Sequence, residues 1–149
     1  MLSTVARNAT SPSDGGVAMA GKTDLLRERY AQFSHGDLEA ALSNWSQDFT
    51  WEGGNSEDMP GGGTHQGKDA AVAVLQQAVG AWDEFSLAAD EFFEDGDTVV
   101  VLGHTDVKKG DQSAKLPVVH IWRFRGDDEV CRLQILTDTL QGARLLGKA

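Results

Sequence analysis

The sequence contains a single cysteine, Cys131, so it cannot form an internal disulfide and has no CxxC pair for zinc. No apolar run approaches the roughly 18 to 20 residues that cross a bilayer. The N-terminal segment also lacks the apolar stretch of roughly 7 to 15 residues that a signal peptide requires. These absences predict a protein of the reducing cytoplasm without membrane contact.

Positive charge is also scarce. The chain has 13 Lys and Arg against 23 Asp and Glu, which gives a formal net charge of −10. Nucleic-acid binding draws most of its affinity from clustered Lys and Arg, so a nucleic-acid partner is not expected. The four histidines show no HxH or HExxH spacing, and no GxGxxG or GxxxxGKS motif is present. We therefore expect neither a metal nor a cofactor.

Length and composition predict one domain preceded by a tail. At 149 residues the chain is long enough to bury one continuous core. Residues 1–22 are rich in Ser, Thr, Gly and Ala, a composition that cannot order itself. We expect a flexible tail over 1–22 and a folded domain over 23–149.

Helical spacing of apolar residues marks the first part of the domain. It predicts a helix from Thr23 to His35, with Thr23 or Asp24 as its cap and Gly36 as its end. Asp37 should cap a second, short helix. The inner face of that helix would be formed by Leu38, Ala41, Leu42 and Trp45.

A glycine-rich stretch separates these helices from a third. Residues 49–52 predict a short strand, and the polar residues 53–67 predict a loop over one end of the domain. Asp69 should cap a helix that runs to Trp82 with apolar residues along one stripe.

Everything after the third helix is predicted to be sheet. Four strands are expected over residues 85–93, 98–108, 114–125 and 130–138, separated by short polar loops that favour an antiparallel meander. Three helices followed by a meander predict an α+β domain. Its helices should cover the concave face of a curved sheet.

The segment 116–124, LPVVHIWRF, alternates in a way that places one histidine on an apolar face. That face would consist of Leu116, Val118, His120, Trp122 and Phe124. A buried imidazole needs a hydrogen-bond partner or a ligand, and Tyr30 on the apolar stripe of the first helix is one candidate partner. A neutral histidine is also well suited to proton transfer near neutral pH.

A second histidine lies on the strand predicted over 98–108, where both faces are apolar at one end. If the face with Leu102, His104 and Asp106 points to the helices, the carboxylate can orient the imidazole inside a pocket. If the other face points inward, His104 and Asp106 lie on the surface. Periodicity alone does not decide between these two orientations of the strand.

Aromatic and aliphatic side chains near these histidines are candidate ligand contacts. Trp51 and Trp122 would form flat walls for a ring-shaped ligand. The other predicted ligand contacts are Leu102, Val118, Leu133 and Ile135.

Four segments together resemble the SnoaL-like group of the nuclear transport factor 2-like superfamily, which contains polyketide cyclases and ketosteroid-isomerase relatives. They are RYAQFSHGDLEAALSNWSQDFTWEG, PGGGTHQGKDAAVAVL, DGDTVVVLGHTDV and VVHIWRFRGDDEVCRLQILTDTL. The resemblance covers about residues 23–146. It implies a curved antiparallel sheet around a helix-lined conical pocket, with dimers formed through the outer sheet face.

The resemblance transfers catalytic positions only in part. Ketosteroid isomerases have aspartates where this chain has Gly53 and His120, so steroid isomerisation is not expected. Polyketide cyclases have a pocket histidine that matches His120, but their acid/base aspartate matches Ile135.

Two other branches match at different positions. Limonene epoxide hydrolase has an arginine and an aspartate that match His104 and Asp106, yet its further aspartate also falls on Ile135. Scytalone-dehydratase-like members use pocket histidines with tyrosine and aspartate, residue types that His104, Asp106, His120 and Tyr30 would supply if they converged.

Two function classes follow. The first is a cofactor-independent enzyme that acts by general acid/base chemistry on a hydrophobic cyclic small molecule, with His104, Asp106, His120 and Tyr30 as catalytic residues. The second is a non-catalytic domain that binds an apolar ligand or dimerises. A homodimer through the outer sheet face is expected in either case, because Val119 and Ile121 lie opposite His120, and Val99 and Val101 would join them if their face is outward.

Overall fold

The computed structural model describes residues 21–54 and 59–148, and a six-stranded sheet forms its centre. The strands are β1 (Trp45–Glu52), β2 (Thr64–Gln66), β3 (Glu84–Asp95), β4 (Thr98–Lys109), β5 (Gln112–Arg125) and β6 (Glu129–Thr137). Their order across the sheet is β2-β1-β6-β5-β4-β3. β1 and β6 run parallel, whereas all other neighbours are antiparallel. The predicted α+β fold with a curved sheet and a β3–β6 meander is confirmed.

Four helices accompany the sheet in the described part of the chain: α1 (Lys22–Ser34), α2 (Leu38–Ala41), α3 (Lys68–Gly80) and α4 (Thr139–Leu145). The expectation that only sheet follows the third helix is wrong, because β6 ends at Thr137 and α4 follows it. The Asp138 carboxylate accepts a hydrogen bond from the Gln141 amide at 3.0 Å. Asp138 is therefore the cap of α4 and not the last residue of a strand.

The caps of two predicted helices differ from expectation. The cap position of α1 is Gly21, and neither Thr23 nor Asp24 fills it. The Thr23 amide and hydroxyl instead donate to the Glu94 carboxylate of β3, at 3.1 and 2.8 Å. Glu94 therefore satisfies a free amide at the start of α1 from outside the helix, where negative charge is favourable.

The third helix and the first strand also begin elsewhere than predicted. The cap of α3 is Gly67, at φ +96°, and Asp69 lies in the first turn. Trp45 belongs to β1 and not to α2, because it pairs with Val130 across a register irregularity that the sequence pattern did not show. The loop predicted over 53–67 also contains the short strand β2.

Register decides which face of β4 packs on the helices. Val99, Val101 and Val107 are all buried, so their face points inward. The alternate residues, with Leu102 and His104 among them, lie on the outer face of the sheet. Val99 and Val101 are therefore part of the core and cannot contribute to an outer dimer surface.

The core lies between the inner face of the sheet and α1, α2 and α3. Its most deeply buried side chains include Leu26 of α1, Phe49 of β1, Val99 of β4 and Val130 of β6. The predicted tail over 1–22 lies outside the described residues except at its end, where Lys22 already belongs to α1. Within the described ranges, no helix is both long and apolar enough to cross a membrane.

Candidate ligand-binding site

The inner face of β5 carries the site, as its alternation predicts. Leu116, Val118, His120, Trp122 and Phe124 are all buried, whereas the residues between them are half-buried or exposed. His120 lies opposite Ile135 of β6 and Val101 of β4, so large apolar residues flank it on both neighbouring strands. The packing of α1 over this face brings Tyr30 onto the imidazole.

Three side chains form a hydrogen-bonded chain inside the core. The Trp122 indole N–H donates to Tyr30 Oη at 2.9 Å, and Tyr30 Oη lies 2.6 Å from His120 Nδ1. The described residues offer the Tyr30 hydroxyl proton no acceptor other than Nδ1. If Nδ1 carried the proton, the phenol oxygen would accept from both Nδ1 and Trp122, and the phenol proton would have no partner. The other tautomer leaves only the Nε2 proton unpaired, and Nε2 is not among the fully buried polar atoms that lack a partner.

This arrangement fixes the histidine tautomer. Tyr30 donates to Nδ1, so the neutral imidazole carries its proton on Nε2. None of the described residues accepts a hydrogen bond from that N–H, and His120 lines a cavity. The site therefore presents one oriented donor within an apolar enclosure.

Burial controls the ionisation of both groups. It lowers the pKa of His120 from its ordinary 6.5 to about 4, because an imidazolium there would lose its hydration. Burial also raises the pKa of the Tyr30 phenol, against the opposing hydrogen bond from Trp122. At neutral pH the pair is thus a neutral imidazole and a neutral phenol.

An apolar cavity of about 160 Å³ extends from His120. One wall is aromatic: Trp45 lies between Trp51 and Trp122, with ring centroids 6.4 and 6.3 Å away. Tyr30 meets Trp122 edge-on at 6.1 Å and continues that wall. A cavity of this order accommodates a small ring compound, since about 150 Å³ is enough for benzene in a core.

The glycine-rich loop closes one side of the cavity. The Trp51 indole donates to the Gly61 carbonyl at 2.7 Å, and the Gly53 amide donates to the Gly63 carbonyl at 2.9 Å. A Cβ on Gly53 would overlap the Gly61 carbonyl oxygen and lie 2.9 Å from Trp51 Nε1. This position therefore has no room for the base that ketosteroid isomerases place there.

Most other polar side chains of the lining are less buried than His120. Thr137, Asp138 and Thr139, at the turn from β6 into α4, are exposed and line it, and Thr105 of β4 lines it while half-buried. Arg29 also contributes to the lining, but its Nε donates to the Asn44 side chain at 3.0 Å. His120 is thus the polar group that lies among the buried apolar walls.

Most of the predicted site residues meet in this cavity. They are Tyr30, Trp51, Val118, His120, Trp122, Leu133 and Ile135. The alternation of β5 and the apolar stripe of α1 were sufficient to identify the histidine and its tyrosine partner.

Three predicted site residues lie elsewhere, and their placement in the pocket was wrong. Leu102, His104 and Asp106 are on the outer face of β4. The expected pairing of His104 with Asp106 exists, at 3.5 Å from Nε2, and Nδ1 also lies 3.0 Å from the Asp90 carboxylate. The sheet separates this cluster from His120, so the four proposed catalytic groups do not converge.

Sequence reasoning missed other residues of the site. Trp45, Met59, Trp82 and Phe85 line the cavity, as does Asp138. Aspartate followed three residues later by glutamine is a helix-start signal at 138–141 that would have indicated α4. Among the described residues, no group of three or more His, Cys, Asp or Glu is placed to hold a metal ion.

This arrangement of helices and a curved sheet around an apolar cavity is that of the NTF2-like class of proteins. The model of the SnoaL-like domain family matches residues 26–133. The chain belongs to that family. A comparison with curated protein sequences gives no match.

Solved structures agree with this assignment. An NTF2-like protein of unknown function from Burkholderia pseudomallei K96243 is 33% identical, with a TM-score of 0.77 over 86% of this chain and 98% of that one. TerC, crystallised with polyporic acid, is 29% identical, with a TM-score of 0.75 over 84% of this chain and 97% of TerC. An NTF2-like protein from Burkholderia thailandensis E264 is 23% identical, with a TM-score of 0.75 over 86% and 98%, and shows the fold alone.

Proposed function

We propose that the cavity binds a hydrophobic cyclic compound whose carbonyl or similar oxygen accepts a hydrogen bond from His120 Nε2. The observation that carries this proposal is the oriented N–H of His120, for which no described residue supplies an acceptor, at an apolar cavity of about 160 Å³. An oriented donor at an apolar cavity wall favours a ligand that supplies an acceptor there, since the surrounding walls offer that ligand apolar contact. The solved structure of TerC with polyporic acid supports small-molecule binding by this fold.

The aromatic wall supports a flat ligand. Trp45 is tilted by 53° to Trp51 and by 55° to Trp122, so the wall offers another ring both face and edge contacts. The Trp51 and Trp122 indole N–H groups are already paired, with Gly61 and Tyr30 respectively. The wall therefore contributes shape and apolar contact, and His120 sets the orientation of the ligand.

Cofactor-independent catalysis on such a ligand is a second candidate, favoured by the rigid chain from Trp122 through Tyr30 to His120. A preorganised donor stabilises the negative charge that develops on a ring carbonyl during enolisation, cyclisation or elimination. With a pKa of about 4, His120 would act as a neutral donor and would be a weak base at neutral pH. Tyr30 would be a positioning residue, since its hydroxyl already contacts Nδ1.

Calorimetric titration with two matched probes tests the proposal. 1-Tetralone and tetralin share a bicyclic skeleton, and only the ketone has an acceptor oxygen. Phenylalanine keeps a planar ring at position 120 but removes the donor, so His120→Phe should weaken tetralone binding by up to about tenfold. Tetralin binding should stay within about twofold of the wild-type value.

His104→Phe is the matched control, because it makes the same substitution on the outer face of the sheet. It should leave the affinities for both probes unchanged. Equal loss of tetralone and tetralin affinity in His120→Phe would show that His120 shapes the cavity without donating to the ligand. Unchanged tetralone affinity in that variant would also overturn the proposal.

We further propose that the chain forms a homodimer through the outer face of the sheet, within the reducing cytoplasm that its single cysteine favours. Phe93 and Leu136 on that face are 54% and 50% exposed, which is high for large apolar residues. Val119 of β5 pairs with Leu136, and Ile121 pairs with Val100 of β4, which in turn pairs with Phe93. Val119 and Ile121 are only half-buried. Apolar patches of this kind mark association surfaces.

A further inference from the structure

A second, polar groove adjoins the cavity on the other side of Asp138. It has a volume of about 550 Å³ and runs between the start of β5 and α4. Asp138 lines both the cavity and this groove. Asp138 is therefore the lining residue that the cavity and the groove have in common.

The side chains of the groove have a balanced chemistry. Asp138 and Arg144 supply one charge of each sign, while Gln112, Ser113 and Gln141 supply neutral donors and acceptors. Opposite charges of equal number give no preference for a net anion or a net cation. A lining that supplies both donors and acceptors instead fits a neutral group that carries several hydroxyls.

An exposed leucine completes the groove. Leu140, in the first turn of α4, is 54% exposed and lines the groove. Leu140 lines the groove and not the apolar cavity, so the core does not cover its side chain. The C–H face of a sugar ring is apolar and covers such a side chain, while the hydroxyls at the ring edge reach the polar groups around it.

We infer that the groove binds the sugar of a glycosylated ring compound, whose aglycone occupies the cavity. This inference rests on the proposed function, because the cavity must first hold the ring. It adds the substrate class: a glycoside with an acceptor oxygen on the ring at the end remote from the sugar. Asp138 determines specificity at the junction, where its carboxylate accepts from sugar hydroxyls.

The test uses 7-hydroxy-4-methylcoumarin and its 7-O-β-glucoside, in which the ring carbonyl and the sugar are at opposite ends. Calorimetry on the full chain should give an affinity about tenfold higher for the glucoside than for the aglycone, the gain expected from two or three net hydrogen bonds. Asp138→Asn and Arg144→Gln should each reduce this ratio to about threefold or less. Arg144→Gln should not change the affinity for the aglycone, because Arg144 lines the groove and not the cavity.

Asp37→Asn is the matched control. Asp37 caps α2 as Asp138 caps α4, each by accepting from the amide three residues later, at 3.2 and 3.0 Å. Asparagine caps a helix about as well as aspartate, so both variants should fold. Only Asp138 lines the groove, and Asp37→Asn should therefore leave the glucoside ratio unchanged.

The outcomes separate this inference from the proposed function. If the aglycone binds but the wild-type protein gains nothing from the glucose, or both groove variants keep the full ratio, the sugar site is wrong and the ring cavity stands. If the aglycone does not bind, and 1-tetralone does not bind either, the proposed function fails and this inference fails with it.

Discussion

The phenol of Tyr30 and the imidazole of His120 form one hydrogen-bonded unit, with 2.6 Å between Oη and Nδ1 across 90 positions of sequence. Their rings are also nearly parallel, with an interplanar angle of 11° and centroids 5.9 Å apart. The contact connects α1 to the centre of the sheet and directs the free N–H of the imidazole into the cavity. Stability and ligand recognition therefore depend on the same pair.

A double-mutant cycle should detect this pair. Tyr30→Phe leaves His120 Nδ1 and the Trp122 N–H without their partner, and should lower the free energy of unfolding by about 1–3 kcal/mol. In the His120→Phe background the same substitution should cost at least about 1 kcal/mol less. Urea denaturation measures all four proteins. Additive effects would contradict the contact, whereas additivity is expected when Tyr30→Phe is combined with His104→Phe.

Stability should fall in mild acid because of His120. Its pKa is about 4 in the folded chain, against an ordinary 6.5, so the unfolded chain binds more protons between these values. Stability from this group is therefore complete above about pH 6.5 and decreases as the pH falls towards 4. The loss is on the order of 2 to 3 kcal/mol between pH 7 and pH 4.5.

The comparison with His120→Phe isolates that effect, since all other titrating groups are shared. Denaturation at pH 7 and pH 4.5 should show a loss in the wild-type protein that exceeds the loss in the variant by about that amount. Parallel losses in both proteins would mean that His120 titrates normally and is not buried as described.

Gly53 should tolerate no side chain. A Cβ there would overlap the Gly61 carbonyl oxygen and crowd the Trp51 indole, so Gly53→Ala should displace the loop and lower stability by more than about 2 kcal/mol. Gly80→Ala is the control, because a Cβ at the end of α3 meets nothing within 4 Å. It should be neutral or stabilise by up to about 1 kcal/mol. Thermal melts that rank the two variants the other way would contradict the loop geometry.

The proposed dimer can be tested at two leucines of similar exposure. Leu136 lies on the outer sheet face and is 50% exposed, while Leu140 on α4 is 54% exposed. Sedimentation should find a dimer at micromolar concentration for the wild-type protein and for Leu140→Asp, and a monomer for Leu136→Asp. A wild-type monomer would show that no such dimer forms. A Leu136→Asp dimer would show that the association surface lies elsewhere.

Local patterns predicted the fold well, because periodicity records which side of an element is buried. The alternation around His120 identified the inner face of β5 with the correct phase, and the apolar stripe of the first helix identified Tyr30. At β4 the pattern was ambiguous, since valines occupy both faces near Thr98. Only pairing with β5 and β3 determines that Val101 is inside and His104 is outside.

Other features depended on contacts that no local pattern encodes. The Glu94 carboxylate of β3 accepts a hydrogen bond from the Thr23 amide in the first turn of α1, 71 positions away. Trp45 enters β1 because it pairs with Val130, and that pairing includes an irregularity in register. The polar edge of the site at Asp138 was hidden by the assignment of that residue to a strand. Contacts between residues far apart in the chain are therefore what could not be predicted from a single sequence.

The tautomer and ionisation of His120 are the most direct test of the account. In ¹⁵N-labelled protein, the imidazole nitrogens of His120 should report a proton on Nε2 and none on Nδ1 at pH 7, with no titration until the pH falls below about 5. Assignment through His120→Phe identifies the signals. A proton on Nδ1, or a midpoint near 6.5, would contradict the claim that Tyr30 holds a neutral His120 with its donor directed at the ligand.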